Sequence, residues 1–281
     1  MSFVDDEPEL KDDAGRFGFS TFRSFTMVRD ELRQILACAL NGPVNGRIIR
    51  EMTTLGTIHI ESAYRFCRAL DLVRPDGALT GFGRMAAAHD QQLDDTSTQW
   101  LLHYNIAKPH TGGPLFWPEL FRLMTRVSRA SREDMSSRLA EISQPGPLPG
   151  ERTLKYAVTA FTGSYTRSDC LGHLRIVVQD DDTFMLGDAL QPSMWVVAYV
   201  VADYWHAHWG DRATVNLSAM TEPGGPASLL LLSSGDMNAL LREMQNQELV
   251  QIQRRVPPYQ VVRLWDNPES ILEHIYDSAN A

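Results

Sequence analysis

The chain has 281 residues, 43% of them hydrophobic and 22% charged, which suits one large soluble domain or two to three small ones with an ample core. Its net charge of −9 argues against a protein that coats nucleic acid indiscriminately. Three cysteines (Cys38, Cys67 and Cys170) without a C-x-x-C pair argue against a disulfide framework or a zinc ribbon.

Residues 1–13 carry six acids against Lys11 and read as a solvated head, no signal peptide. With the Gly/Phe/Ser-rich loop Gly15–Ser24 they make an expected acidic segment, 1–24. "FTMVRDELRQILACAL" then places Met27, Leu32, Ile35, Leu36 and Leu40 at helical spacing, and "NGPVNG" stops it. A short helix, "RIIREMTTLG", and a longer one, "HIESAYRFCRALDLV", follow. The longer one puts Ile60, Ala63, Cys67 and Leu70 on one face and Glu61, Ser62, Arg65 and Arg68 on the other. "RPDGALTGFG" adds the Asp-Gly turn of a β-hairpin. Helix, short helix, longer helix and hairpin is the order of a winged helix-turn-helix, a unit that binds DNA in some proteins and docks other proteins in others.

Chemistry-bearing residues concentrate in "AHDQQLDDTSTQWLLHYNIA", residues 88–107. Two readings are open there. In one, Thr96-x-x-Gln99 is a capping box, Asp94 and Asp95 sit at the positive end of a helix, Leu93 packs on Trp100, and His103 is a satisfied core histidine. In the other, Asp90, Asp94 and Asp95 converge on Mg²⁺ or Mn²⁺ and His103 is a general base for phosphodiester cleavage. Farther on, "FRLMTRVSRASREDMSSR" is the most basic window, with Arg122, Arg126, Arg129, Arg132 and Arg138. It is either a focused nucleic-acid patch or a solvated helix face, with Ser131-x-x-Asp134 as a new helix cap. Lys11, Lys108 and Lys155 are the only lysines. That arginine bias suits phosphate and guanine contacts, and GC-rich coding produces the same bias.

"SQPGPLPGE" (Ser143–Glu151) is the expected domain boundary. It separates residues 25–142, a winged-helix-like unit with a helical extension bearing the Asp/His motif, from a second such region at 151–281. "GERTLKYAVTAFTGSY" with "CLGHLRIVVQDDDTFMLG", and "SGDMNALLREMQNQELVQIQRRVPPYQVVRLW", each repeat the helix-then-hairpin pattern. The expected fold is mainly α with small β-hairpins, an α+β chain of tandem winged helix-turn-helix-like units. No G-x-G-x-x-G, Walker loop or G-x-S-x-G is present. "MWVVAYVVADYW" is broken by Asp203 and too short for a bilayer, so a reduced, cytoplasmic protein without membrane contact is expected. In "ADYWHAHWGD", Asp203 and His206 have chelating i,i+3 spacing, but helix-end aromatics account for the stretch without metal.

"ALDLVRPDGALT" followed by "GFGRMAAAHDQQLDDTSTQWLLHYNIA" resembles an SspB-like bacterial family of unknown domain function. The matching positions are Leu79, Thr80, Gly83, Asp90, Leu93, Asp94, Asp95, Thr98, Trp100, Leu101, Leu102 and His103, with Asp94 where the family carries glutamate. The family's Gly-His-Glu-Thr-Phe opening is reduced to "GFSTFRS", and its later Glu-Asp-Ser to "SDC" (Ser168–Cys170). The resemblance implies DNA phosphorothioation, as a DNA-nicking component working with a cysteine desulfurase, an ATP pyrophosphatase and an ATPase.

The expected protein thus binds double-stranded DNA. Arg65 and Arg68 would enter or flank a groove, Arg74 and Arg84 would grip phosphate, and Arg126, Arg129 and Arg132 would extend the footprint. Asp90, Asp95 and His103 would be catalytic, with Asp90, Asp94 and Asp95 on the metal. The alternatives are a non-catalytic adaptor that recruits the sulfur-transfer enzymes and a dimeric regulator.

Overall fold

The computed structural model describes residues 18, 19, 21–109, 115–142, 149–254 and 256–277. Residues 1–17 of the expected acidic head, and positions 143–148 of the expected boundary, lie outside the described residues. The chain falls into two compact units, one up to residue 95 and from 105 to 188, the other from 96–104 and from 189 onward.

The first unit opens with α1 (Arg29–Ala39), α2 (Gly46–Met52), α3 (Thr57–Ala69) and α4 (Gly81–His89). Asn45 caps α2 by accepting the Ile48 amide at 3.0 Å, and α1 packs on α2, α3 and α4. The hairpin expected after α3 is reduced to one bridge, Val73 to Leu79, around a turn closed by Gly77 N–H to Arg74 O. Gly77 has φ +82°, and a Cβ there would meet the Val44 carbonyl oxygen at 2.0 Å, so only glycine fits.

Later in the same unit come α6 (Phe116–Met124), β1 (Ala130–Ser131), α7 (Arg132–Ala140), α8 (Glu151–Thr166), β2 (Val177–Asp180) and β3 (Thr183–Leu186). The strands form an antiparallel sheet in the order β1-β3-β2, with Phe184 opposite both Ala130 and Gln179. The expected cap at Ser131 is a complete capping box with Asp134, whose carboxyl is held below its usual range mainly by the Ser131 amide. The core centres on Trp117. Phe22 stacks on Phe66 at 3.8 Å, both meet Trp117 edge-on, and the Trp117 indole N–H donates to the Tyr165 hydroxyl at 3.0 Å. Phe22 belongs to the stretch read from sequence as a loop, and it is buried because this aromatic cluster closes over it.

In the second unit, α9 (Met194–Trp209) is followed by β4 (Thr214–Asn216), α10 (Pro226–Leu229), α11 (Ser234–Asn246), β5 (Val250–Gln253), β6 (Gln260–Arg263) and α12 (Pro268–Asp277). The sheet order is β4-β6-β5, again antiparallel. Helix α9 begins with the run "MWVVAYVVADYW", which is apolar nearly all round because α10, α11 and α12 pack against the helix. No helix of the described residues is long and apolar enough to cross a membrane. Helix α5 (Thr96–Ala107) carries the division between the units.

The fold is therefore mainly α with two small antiparallel sheets, as the sequence pattern leads one to expect. The same succession of helix, strand, two helices and a strand pair runs from α6 to β3 and again from α9 to β6. All three cysteines are buried and unpaired, and burial pushes their thiols up, Cys170 to about 12.

Candidate functional site

The acidic turn begins with α4. Thr80 caps that helix, its hydroxyl accepting the Gly83 amide at 2.8 Å while donating to the Asp71 carbonyl. A Cβ on Gly83 would lie 1.9 Å from the Leu72 carbonyl oxygen, so Leu-Thr-x-x-Gly is a packing motif, with Leu79 in the bridge. Asp90 ends α4, and Leu93 turns the chain at φ +56° with its side chain fully buried. Left-handed backbone at a leucine costs on the order of 1–2 kcal/mol, which burial of the side chain offsets.

The Asp90 carboxylate spans this turn. Its Oδ1 accepts from Asp94 N–H and its Oδ2 from Asp95 N–H, both at 3.0 Å. These amides lead into α5, so Asp90 does there what a capping side chain does for a helix start. Asp94 Oδ1 pairs with Arg29 Nη2 at 2.9 Å. Three carboxylates thus gather within six residues, with Asp90 and Asp94 among those committed to protein donors. Among the described residues no set of three His, Cys, Asp or Glu side chains is arranged to hold a metal ion. As arranged, Asp90, Asp94 and Asp95 do not fit the Mg²⁺ or Mn²⁺ that the sequence reading places on them.

His103 belongs to the second unit. It is fully buried, its Nε2 lies 2.9 Å from the Leu229 carbonyl oxygen, and Trp100 meets its ring edge-on at 5.5 Å. A carbonyl only accepts, so Nε2 carries the proton. Burial pushes the imidazole pKa down to about 4, the Leu229 bond opposing that shift. The ring is neutral at pH 7 and is placed as a core group. Around it, Trp100 donates to Leu190 O at 3.1 Å and Tyr104 to Asp203 at 2.7 Å. Asp203 is thereby engaged, and His208 bonds the Tyr204 carbonyl and stacks on the Tyr204 ring.

Most of the candidate DNA-binding arginines serve the protein itself. Arg65 donates to Thr21 O at 3.0 Å and pairs with Glu61 at 2.8 Å. Arg68 is half-buried on α3, whereas Ser62, expected on the polar face, is buried. Arg74 is held by both oxygens of Asp76 at 3.3 Å, and Arg84 braces the start of α4 through Leu79 O at 3.1 Å. Arg129 pairs with Asp180 at 2.7 Å, while Arg132 donates to Thr162 at 2.9 Å and covers the Phe184 ring. Arg126 alone of the seven is exposed with neither a side-chain hydrogen bond nor an ion-pair partner among the described residues. A cleft of about 690 Å³ between α7 and α8 sets Arg132 and Lys155 against Glu133 and Glu151, a balance that does not favour a polyanion.

One polar cluster escaped the sequence reading. Arg29, which pairs with Asp94, also donates to Ser168 O at 3.1 Å, and its own amide donates to Asp169 O at 3.0 Å. Arg167 beside it grips Asp169, whose carboxyl is held below its usual range chiefly by that guanidinium. His59 meets Glu31 at 2.7 Å. Arg29 thus ties the start of α1 to the Asp turn and to the "SDC" segment. Its only sequence signal was an arginine opening a helix, where a cation is electrostatically disfavoured.

Residues 60–276 match a family described as a protein of unknown function, DUF4007. Two SspB crystal structures share the fold. A magnesium ion-bound one is 18% identical, with a TM-score of 0.78 over 97% of this chain and 91% of its own. Another is 16% identical, with a TM-score of 0.74 over 94% of this chain and 89% of its own. No curated protein matches the sequence.

Proposed function

The chain belongs to the DUF4007 family, and from that premise we propose that it is a duplex-DNA-binding component of a DNA phosphorothioate-modification defence system. The observation that carries this reading is the repeated succession helix, strand, helix, helix, hairpin, which is the element order of a winged helix. It occurs twice in full, and α1 to α3 with the Val73–Leu79 bridge supply a shortened third copy. The likeness to SspB supports the pathway, and the partners we propose within it are a cysteine desulfurase, an ATP pyrophosphatase and an ATPase. A cytoplasmic homodimer on double-stranded DNA is the form in which we expect it to work.

Nicking of the bound duplex is the second reading, favoured by the magnesium ion in one SspB structure. It would make Asp90, Asp95 and His103 the catalytic set. We draw no metal-dependent step from them, because the Asp90 oxygens hold amides and Asp94 holds Arg29.

The test pairs two measurements on the full chain. Fluorescence anisotropy with a labelled duplex should show binding that weakens steeply as salt rises. Supercoiled plasmid with Mg²⁺ or Mn²⁺ should stay closed with the chain alone. Absence of duplex binding at low salt would overturn the first reading. Open circles made by the wild type and lost in folded Asp90→Ala, Asp95→Ala and His103→Ala variants would establish the second.

A further inference from the structure

We infer that the DNA-reading surface lies on α11 and the β5–β6 hairpin of the second unit, with α11 in the major groove and the hairpin against the flanking backbone. This rests on the DNA-binding reading and adds to it the surface, which none of the arginines first considered occupies.

The three helix–hairpin pairs differ in what they leave available. At the first, Arg65 is spent inside the protein and the hairpin arginine, Arg74, is neutralised by Asp76. At the second, Arg152 bonds Tyr156, Lys155 pairs with Glu151, and the hairpin tip reads Asp180-Asp181-Asp182, which repels phosphate. The third has no acid at its tip. There Val256 is 75% and Tyr259 43% exposed, and Arg254 lies at the end of β5.

Helix α11 matches that hairpin. Ser234, Asn238, Arg242 and Asn246 are four apart and form one polar stripe. Arg242 is exposed and has no hydrogen-bond or ion-pair partner among the described residues. Asn238 Oδ1 accepts from Arg254 Nη2 at 3.1 Å, and Gln245 Oε1 accepts from the Ile252 amide at 2.8 Å. The tip-side half of β5 is thus fastened to the helix at two points, while the other guanidinium donors of Arg254 have no further partner among the described residues. Arg and Asn side chains are the ones that pair bidentately with guanine and adenine edges, and a second Arg beside them suits a phosphate. Glu243 is the one acid on the exposed middle of α11, and Asp236 is consumed by the capping box with Ser233. A small cationic surface on an acidic chain keeps non-specific affinity low.

Arg242 and Arg254 are therefore contact residues, and Asn238 positions Arg254. The experiment titrates a random-sequence labelled duplex with the full chain at several salt concentrations. It compares wild type, Arg242→Ala with Arg254→Ala, the corresponding Lys pair, and Arg152→Ala with Lys155→Ala. The Ala pair should lose at least about tenfold in affinity with unchanged melting, and its salt slope should fall by about one per phosphate contact removed. The Lys pair should retain most of the binding, and the Arg152/Lys155 variant should match wild type. Loss in the Arg152/Lys155 variant with retention in the Ala pair would overturn the inference while leaving DNA binding intact. A wild type that binds no duplex would overturn both.

Discussion

The turn at residues 90–95 and the hairpin at residues 250–263 differ in a way that their compositions conceal. The turn is dense in carboxylates, yet Asp90 holds two amides and Asp94 holds a guanidinium, so its chemistry is directed into the fold. The hairpin and its helix are about as rich in charge as the chain as a whole, but Arg242 has no hydrogen-bond or ion-pair partner among the described residues and Arg254 is only partly engaged. A functional side chain needs capacity left over after the protein has used it. Residue type alone does not reveal that surplus.

The contrast is broken most severely at glycine. Gly83→Ala, in the helix leading into the Asp turn, drives a Cβ to 1.9 Å from a backbone oxygen and should abolish soluble, folded protein. Gly235→Ala on α11 meets nothing nearer than 3.5 Å and should leave stability unchanged or raise it by about 0.5–1 kcal/mol. Circular dichroism and expression yield check both.

Acid should act next, through His103. Its folded pKa of about 4 lies below the unfolded value near 6.5, so the unfolded state binds the proton first. The stability it supports is complete above about pH 6.5 and is lost as pH falls toward 4, on the order of 3 kcal/mol. Urea denaturation at pH 7.5 and pH 4.5 should show that loss, and a folded His103→Gln variant should show less of it.

Asp90→Ala strands the Asp94 and Asp95 amides and should cost about 1–3 kcal/mol by urea denaturation, with duplex affinity unchanged. Asp90→Asn, which keeps one acceptor oxygen, should lose less. The smallest effect is Asp94→Asn, where a pair with a largely exposed carboxylate should contribute at most about 1 kcal/mol.

Much of the fold was legible in sequence because its signals are local. The Ser131–Asp134 box, the Asp-Gly turn at Gly77 and the helix–hairpin pairs all act within a few residues. The site was less legible because its partners are remote. The acceptor for His103 is the Leu229 carbonyl, 126 residues on, and the partner of Arg129 sits on β2. Arg242 and Arg254 lie in a stretch already read as helix and hairpin. Nothing in the string showed that their charge was left over while that of Arg65 and Arg74 was consumed.

The most direct measurement is photo-cross-linking of the full chain to a duplex carrying 5-iododeoxyuridine, with mass spectrometric identification of the adducted peptides. Adducts within residues 234–263, Tyr259 prominent among them, are the expected result. Adducts confined to residues 88–107 would contradict it and return the acidic turn to the centre of the chemistry.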